Sequence, residues 1–187
     1  MSAAKALPGL DTPARIVATC ALGAGIEAAM AWRFGWSAEL PAYLAFGAVA
    51  AAVTVTDLAA RRVPNRVVGP AALAGSVLLV MASAGSGLWW PLARAATGAV
   101  LLAGFYLALG LAFPSGMGLG DLKWAGVIGL YLGYLGWTTL PTATLLAFGA
   151  AAVFVLVGRA AWRSRQLVLP MAPFMTAGAL VAVLATR

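Results

Sequence analysis

Residues 40–62 read LPAYLAFGAVAAAVTVTDLAARR: an apolar run with one aspartate a helical turn before its end and two arginines closing it. About 20 apolar residues in helical form cross the ~30 Å hydrocarbon layer of a bilayer, where only a helix or a closed barrel satisfies its own backbone. The stretch therefore predicts a transmembrane helix over 40–60 with Asp57 near its end. Further apolar runs lie at 14–32, 66–84, 91–113, 121–139, 141–158 and 167–185, giving seven expected spans. None has the short alternating pattern of barrel strands. The predicted fold is all-α, a polytopic transmembrane helix bundle of about seven spans.

Composition points the same way. The 187 residues are 63% hydrophobic and 9% charged, with a mean hydropathy of +0.97. The formal charge of +7 is spread in ones and twos at the ends of apolar runs, with no basic patch interleaved with aromatics, so no nucleic-acid partner is expected. With the N-terminus in the cytoplasm, Lys5, Arg15, Arg61, Arg62, Arg66, Lys123, Arg159, Arg163 and Arg165 fall inside, and Arg33, Arg94 and Arg187 outside. That is the positive-inside pattern of a multi-pass protein of the cytoplasmic (inner) membrane. Trp32, Trp36, Trp89, Trp90 and Trp137 then gather at the outer interface, where indole rings prefer to lie.

The chain contains no histidine, which removes Ser-His and Cys-His catalysis and histidine metal sites. Cys20, the single cysteine, permits neither an internal disulfide nor a CxxC metal knuckle and is expected as a small buried apolar side chain. No metal and no cofactor is called for. Carboxylates remain. Glu27, in the first run, is expected to be structural, whereas Asp57 and Asp121 stand in chemically distinctive settings.

Asp121 lies in Gly118-Leu119-Gly120-Asp121-Leu122-Lys123, after the helix-ending Pro114 and the glycine Gly116. Between Asp57 and Asp121 the chain leaves the inner face and returns, so both acids are expected at the same face of the membrane. Two carboxylates held together can share a proton, one serving as base toward a water and the other as acid toward a scissile carbonyl. Helix dipoles suggest the ionised carboxylate at Asp121, which opens a helix, and the shared proton at Asp57, which nears the end of one. Arg61, four residues after Asp57, is placed to pair with it and opposes that division. Gly116, Gly118 and Gly120 offer a bare backbone that a substrate chain can approach. Gly126, Gly129, Gly133 and Gly136 form one smooth helix face, expected to serve tight helix packing.

The Gly118-x-Gly120-Asp121-x-Lys123 string, with Asp57 upstream and Arg62-Val63-Pro64-Asn65 after it, resembles the type IV prepilin peptidases, polytopic aspartic proteases with a GxGD motif. The resemblance covers roughly residues 40–187. Leu169-Pro170-Met171-Ala172-Pro173-Phe174 is similar to that family's proline-containing opening of the last helix. Presenilin-like proteases share GxGD, but this chain has Thr56 before its first aspartate and Leu169-Pro170-Met171 in place of a Pro-Ala-Leu element. The resemblance implies Asp57 and Asp121 as the catalytic pair, with Gly118, Gly120, Lys123, Arg62, Pro64, Asn65, Pro170 and Pro173 supporting the site.

The resemblance also implies the substrate: a prepilin or pseudopilin precursor with a basic leader before a hydrophobic helix, cut at the cytoplasmic face. Long members of the family carry an N-terminal domain with paired CxxC motifs, associated with methylating the new pilin N-terminus. No such motif precedes Asp57, so a peptidase-only short form without methyltransferase activity is expected. Residues 1–39 are read as a cytoplasmic tail and an additional transmembrane helix, and 40–187 as a six-helix peptidase domain. The alternative from another class is a proton-coupled transporter, in which paired carboxylates would carry protons.

Overall fold

The computed structural model describes residues 12–113, 118–162 and 169–186. Lys5, Pro114, Gly116, Arg163, Arg165 and Arg187, used in the sequence reading, lie outside them. The described residues form seven helices: α1 (Pro13–Phe34), α2 (Leu40–Ala60), α3 (Asn65–Ser86), α4 (Trp90–Ala112), α5 (Leu119–Leu135), α6 (Thr139–Trp162) and α7 (Ala172–Ala185). Among them there is no strand. Helices α1 to α4 and the Thr139–Gly158 stretch of α6 are long and apolar enough to cross a membrane. The chain is a multi-pass membrane protein.

The two remaining helices are shorter, α5 with 17 residues and α7 with 14. The expected runs 121–139 and 167–185 are cut back for physical reasons. Gly136 ends α5 with its N–H donated to the Leu132 carbonyl at 3.1 Å, and the Thr139 hydroxyl lies within hydrogen-bond reach of the Leu132 and Gly136 carbonyls, at 2.7 and 2.6 Å, helping to satisfy the acceptors at the helix end. Pro173 occupies the second position of α7, where its missing N–H costs the helix nothing.

Helix α5 lies at the centre, buried on nearly every side, as expected of a helix that is apolar all round. Tyr43 of α2 donates its hydroxyl to the Tyr131 carbonyl at 2.8 Å, and Phe46 of α2 stacks on Trp124 with ring centroids 5.8 Å apart. Trp124 in turn donates its indole N–H to Thr176 of α7 at 3.1 Å, inside the core. On the α4 side the backbones touch. A methyl group added at Gly129 would strike the Gly98 carbonyl oxygen, and one at Gly133 the Arg94 carbonyl oxygen. Tight packing is thus the role of Gly129 and Gly133. Gly126 has only ordinary contact with Ala103, at 3.6 Å, and Gly136 has open space, so the glycine face is not one continuous interface.

Short connections make successive helices antiparallel, so the C-terminal end of α2 and the N-terminal ends of α3, α5 and α7 share one end of the bundle. The exposed Trp32, Trp36, Trp89, Trp90 and Trp137 mark the opposite end. Cys20 is exposed on α1, a correction to its expected burial. An outward-facing position on a membrane helix meets lipid, so a small apolar thiol suits it as well as a core does.

Candidate functional site

Asp57 sits one turn before the end of α2 and is 5% exposed. The helix stops at Arg61, which takes a left-handed conformation (φ 50°) while its N–H donates to the Asp57 carbonyl at 2.8 Å. Among the described residues no Asp57–Arg61 ion pair closes to within 4 Å, although the two side chains line the same cleft and their charges attract across it. Arg62 and Val63 then lead into Pro64, whose fixed extended entry (φ −73°, ψ 124°) starts α3 at Asn65.

Facing this turn is the start of α5. Gly118 is its extended N-cap residue, and Asp121 is the third residue of the helix. The Asp121 carboxylate reaches back to accept the Gly118 N–H at 3.1 Å, satisfying one of the donors a helix start leaves free. Gly120 is small because the other turn lies against it: a methyl group there would sit 2.9 Å from Val63 Cβ. Lys123 closes the junction by donating to the Asn65 side-chain oxygen at 2.9 Å.

These pieces enclose a cleft of about 370 Å³. Asp57 and Asp121 line it together, with Arg61, Arg62, Val63, Pro64 and Asn65 from one side. Gly118, Leu119, Gly120 and Lys123 complete the other. Eight of the ten residues singled out from the sequence thus meet in one cavity. Pro170 and Pro173 do not line it.

The prolines instead frame a residue that sequence reasoning missed. The Ala172 N–H, at the first position of α7, donates to Asp57 Oδ2 at 3.1 Å in a buried setting. Asp57 therefore caps α7 from another helix. Ala172 is the first residue of α7 and offers the helix's first N–H, Pro173 after it offers none, and the Pro-x-x-Pro pattern is the only trace of this in the sequence. Trp124 and Thr176 were also missed. Their hydrogen bond ties α5 to α7, with Trp124 one turn after Asp121 and Thr176 one turn after Ala172. Both carboxylates now lie at helix N-termini, each holding one backbone N–H at 3.1 Å. Asp57 still lies at the C-terminal end of α2, so the α7 N-terminus offsets that end's dipole and the contrast between the two acids is smaller than their own helices alone would give.

Chemically, the cleft offers two carboxylates beside glycine backbone and a polar mouth, which suits proton exchange with a water and a polypeptide carbonyl. Comparison with curated proteins finds no match, and neither does comparison with solved structures. The families give a different result. Residues 44–156, from within α2 to within α6 and more than half of the chain, match the type IV leader peptidase family, and the chain belongs to that family.

Proposed function

We propose that the chain is an aspartic endopeptidase that removes the leader of prepilin or pseudopilin precursors, with Asp57 and Asp121 as its catalytic pair. One observation carries this reading: two acids from distant parts of the chain line a single cleft at one end of a membrane bundle. In the reaction, one carboxylate takes a proton from a water as that water attacks the scissile carbonyl. The other, protonated, gives its proton to the carbonyl oxygen. The resulting tetrahedral adduct collapses when the amide nitrogen receives a proton and leaves as the amine of the mature N-terminus. Gly118 keeps the cleft wall low, Gly120 lets the two turns meet at Val63, and Asn65 and Lys123 hold those turns together.

On this reading the cleft opens to the cytoplasm at the inner membrane, with the N-terminus on the same side. Arg61, Arg62 and Lys123 rim the mouth, so the basic leader projects past them into water or toward anionic headgroups. Residues 40–187 act as the peptidase unit and α1 as an additional helix packed on α2 and α7. Methyl transfer is not part of its activity. The transporter alternative is not favoured by the family match, and no feature of the cleft favours it.

The test is mass spectrometry of the products formed by purified protein, a leader-bearing precursor and a methyl donor. The expected outcome is a single cut between the basic leader and the apolar segment, insensitive to chelator and to thiol reagents, with an unmethylated new N-terminus. Cleavage lost on chelation would remove the carboxylate-only chemistry. A methylated product would remove the peptidase-only reading.

A further inference from the structure

A second cavity, of about 590 Å³, climbs the bundle from the aspartate cleft, with α3 and α4 as its walls and α5 as its floor. Asn65 and Lys123 line both cavities, so the two adjoin at the hydrogen bond between those side chains. From Trp124 to Tyr134 every residue of α5 is buried except Gly126 and Leu130. Lys123, Gly126 and Leu130 fall at i, i+3 and i+7, one face of the helix. The central helix therefore has a single uncovered stripe, and it begins two residues after Asp121.

The walls are low. Gly69, Ala72 and Ser76 face it from α3 and Ala99 from α4, and those two helices touch only weakly. The Ser76 hydroxyl is already spent on the Ala72 carbonyl at 2.8 Å, so it asks for no polar partner. From Asn65 to Ser76 the groove runs about 16 Å at 1.5 Å per residue, roughly half the thickness of the hydrocarbon layer. Small residues along such a path let the backbone of another membrane helix come close. The apolar cavities bounded by Leu101 and Leu145, and by α1 and α7, share no residue with the aspartate cleft.

We propose that this groove seats the transmembrane helix of the precursor, immediately after the scissile bond. The proposal rests on the reading of Asp57 and Asp121 as the catalytic pair. A polypeptide held in the cleft and continuing into lipid must become helical there, because its backbone has no other partners. The groove is the path into lipid that adjoins the cleft, and its small-residue walls fit a helix.

The test is crosslinking of the full-length protein in liposomes, in a Cys20→Ser, Asp57→Asn background with one new cysteine at a time. The probe is a designed precursor: a lysine-rich leader followed by a leucine-alanine helix of about 20 residues with one cysteine in its first third. Cysteines at Ser76 and Ala99 should join to the probe, whereas one at the exposed Leu145 should not. Equal reaction at all three positions, reaction at Leu145 alone, or Ser76→Cys joining only to a second copy of the chain would overturn the proposal. A second arm uses Gly69→Leu in otherwise native protein, where a Cβ added at residue 69 meets nothing within 4 Å, with folding checked by thermal unfolding in detergent. Its cleavage of the anchored precursor should fall about tenfold relative to a soluble peptide spanning the same bond, the lost binding of a remote substrate segment. An unchanged ratio would overturn the proposal. Crosslinking does not depend on turnover, so cleavage retained by Asp57→Asn protein would count against the catalytic assignment and leave the crosslinking result standing.

Discussion

At Gly120 the missing side chain is a packing requirement set by Val63, whose Cβ would lie 2.9 Å from an added methyl group and whose own amide nitrogen would lie 3.5 Å away. Gly118 is different. A methyl there would first meet Asp121 Oδ2 at 3.6 Å, an ordinary contact, and its φ of −89° suits any residue. The sequence suggested one purpose for both glycines, a bare backbone for substrate. The structure separates them, because the contact with Val63 joins two turns far apart in the chain. Gly120→Ala is therefore expected to cost about 1–3 kcal/mol through overpacking, with cleavage falling as the two turns are pushed apart. Gly118→Ala should leave stability within about 0.5 kcal/mol. Thermal unfolding in detergent, alongside a cleavage assay, checks both; equal destabilisation by the two substitutions contradicts the distinction.

Among the elements, α2, α5 and α7 are bound to one another just where the carboxylates sit. Phe46 stacks on Trp124, Trp124 donates to Thr176, and Ala172 donates to Asp57. Asp57 thus has a structural duty as the cap of α7. Asparagine retains an oxygen acceptor for the Ala172 N–H, whereas alanine leaves that buried donor unpaired. Asp57→Asn is expected to unfold at nearly the native temperature, and Asp57→Ala to lose about 0.5–2 kcal/mol, the usual cost of deleting a helix cap. Equal thermal stability of the two variants would show that the cap contributes nothing. This link was hidden in the sequence because a backbone amide has no letter of its own; only Pro170 and Pro173, bracketing Ala172, hinted that the start of α7 mattered. The helices themselves were legible from their apolar runs. The shortness of α5 and α7 was not, since Gly136 and Pro173 trim runs whose composition stays apolar beyond them.

At the scale of the whole molecule, an even number of crossings between Asp57 and Asp121 is what brings them to one end, and this was readable from hydropathy alone. The cleft they share confirms the count, since it is built from the α2–α3 turn and the start of α5. The side of the membrane on which that end lies is argued from the basic residues and the opposing tryptophans. In Cys20→Ser protein, single cysteines at Arg62 and Leu119 should react with an impermeant thiol reagent only from the cytoplasm, and one at Gly87 only from outside. Labelling of positions 62 and 119 from opposite sides would break the topology. The central claim, that Asp57 and Asp121 together perform the cleavage, is tested most directly by assaying Asp57→Asn and Asp121→Asn separately against a leader-bearing precursor, with membrane insertion and folding verified for each. Both variants are predicted to leave the precursor uncut, because each carboxylate has its own proton to move; processing near the native rate by either one would contradict the account.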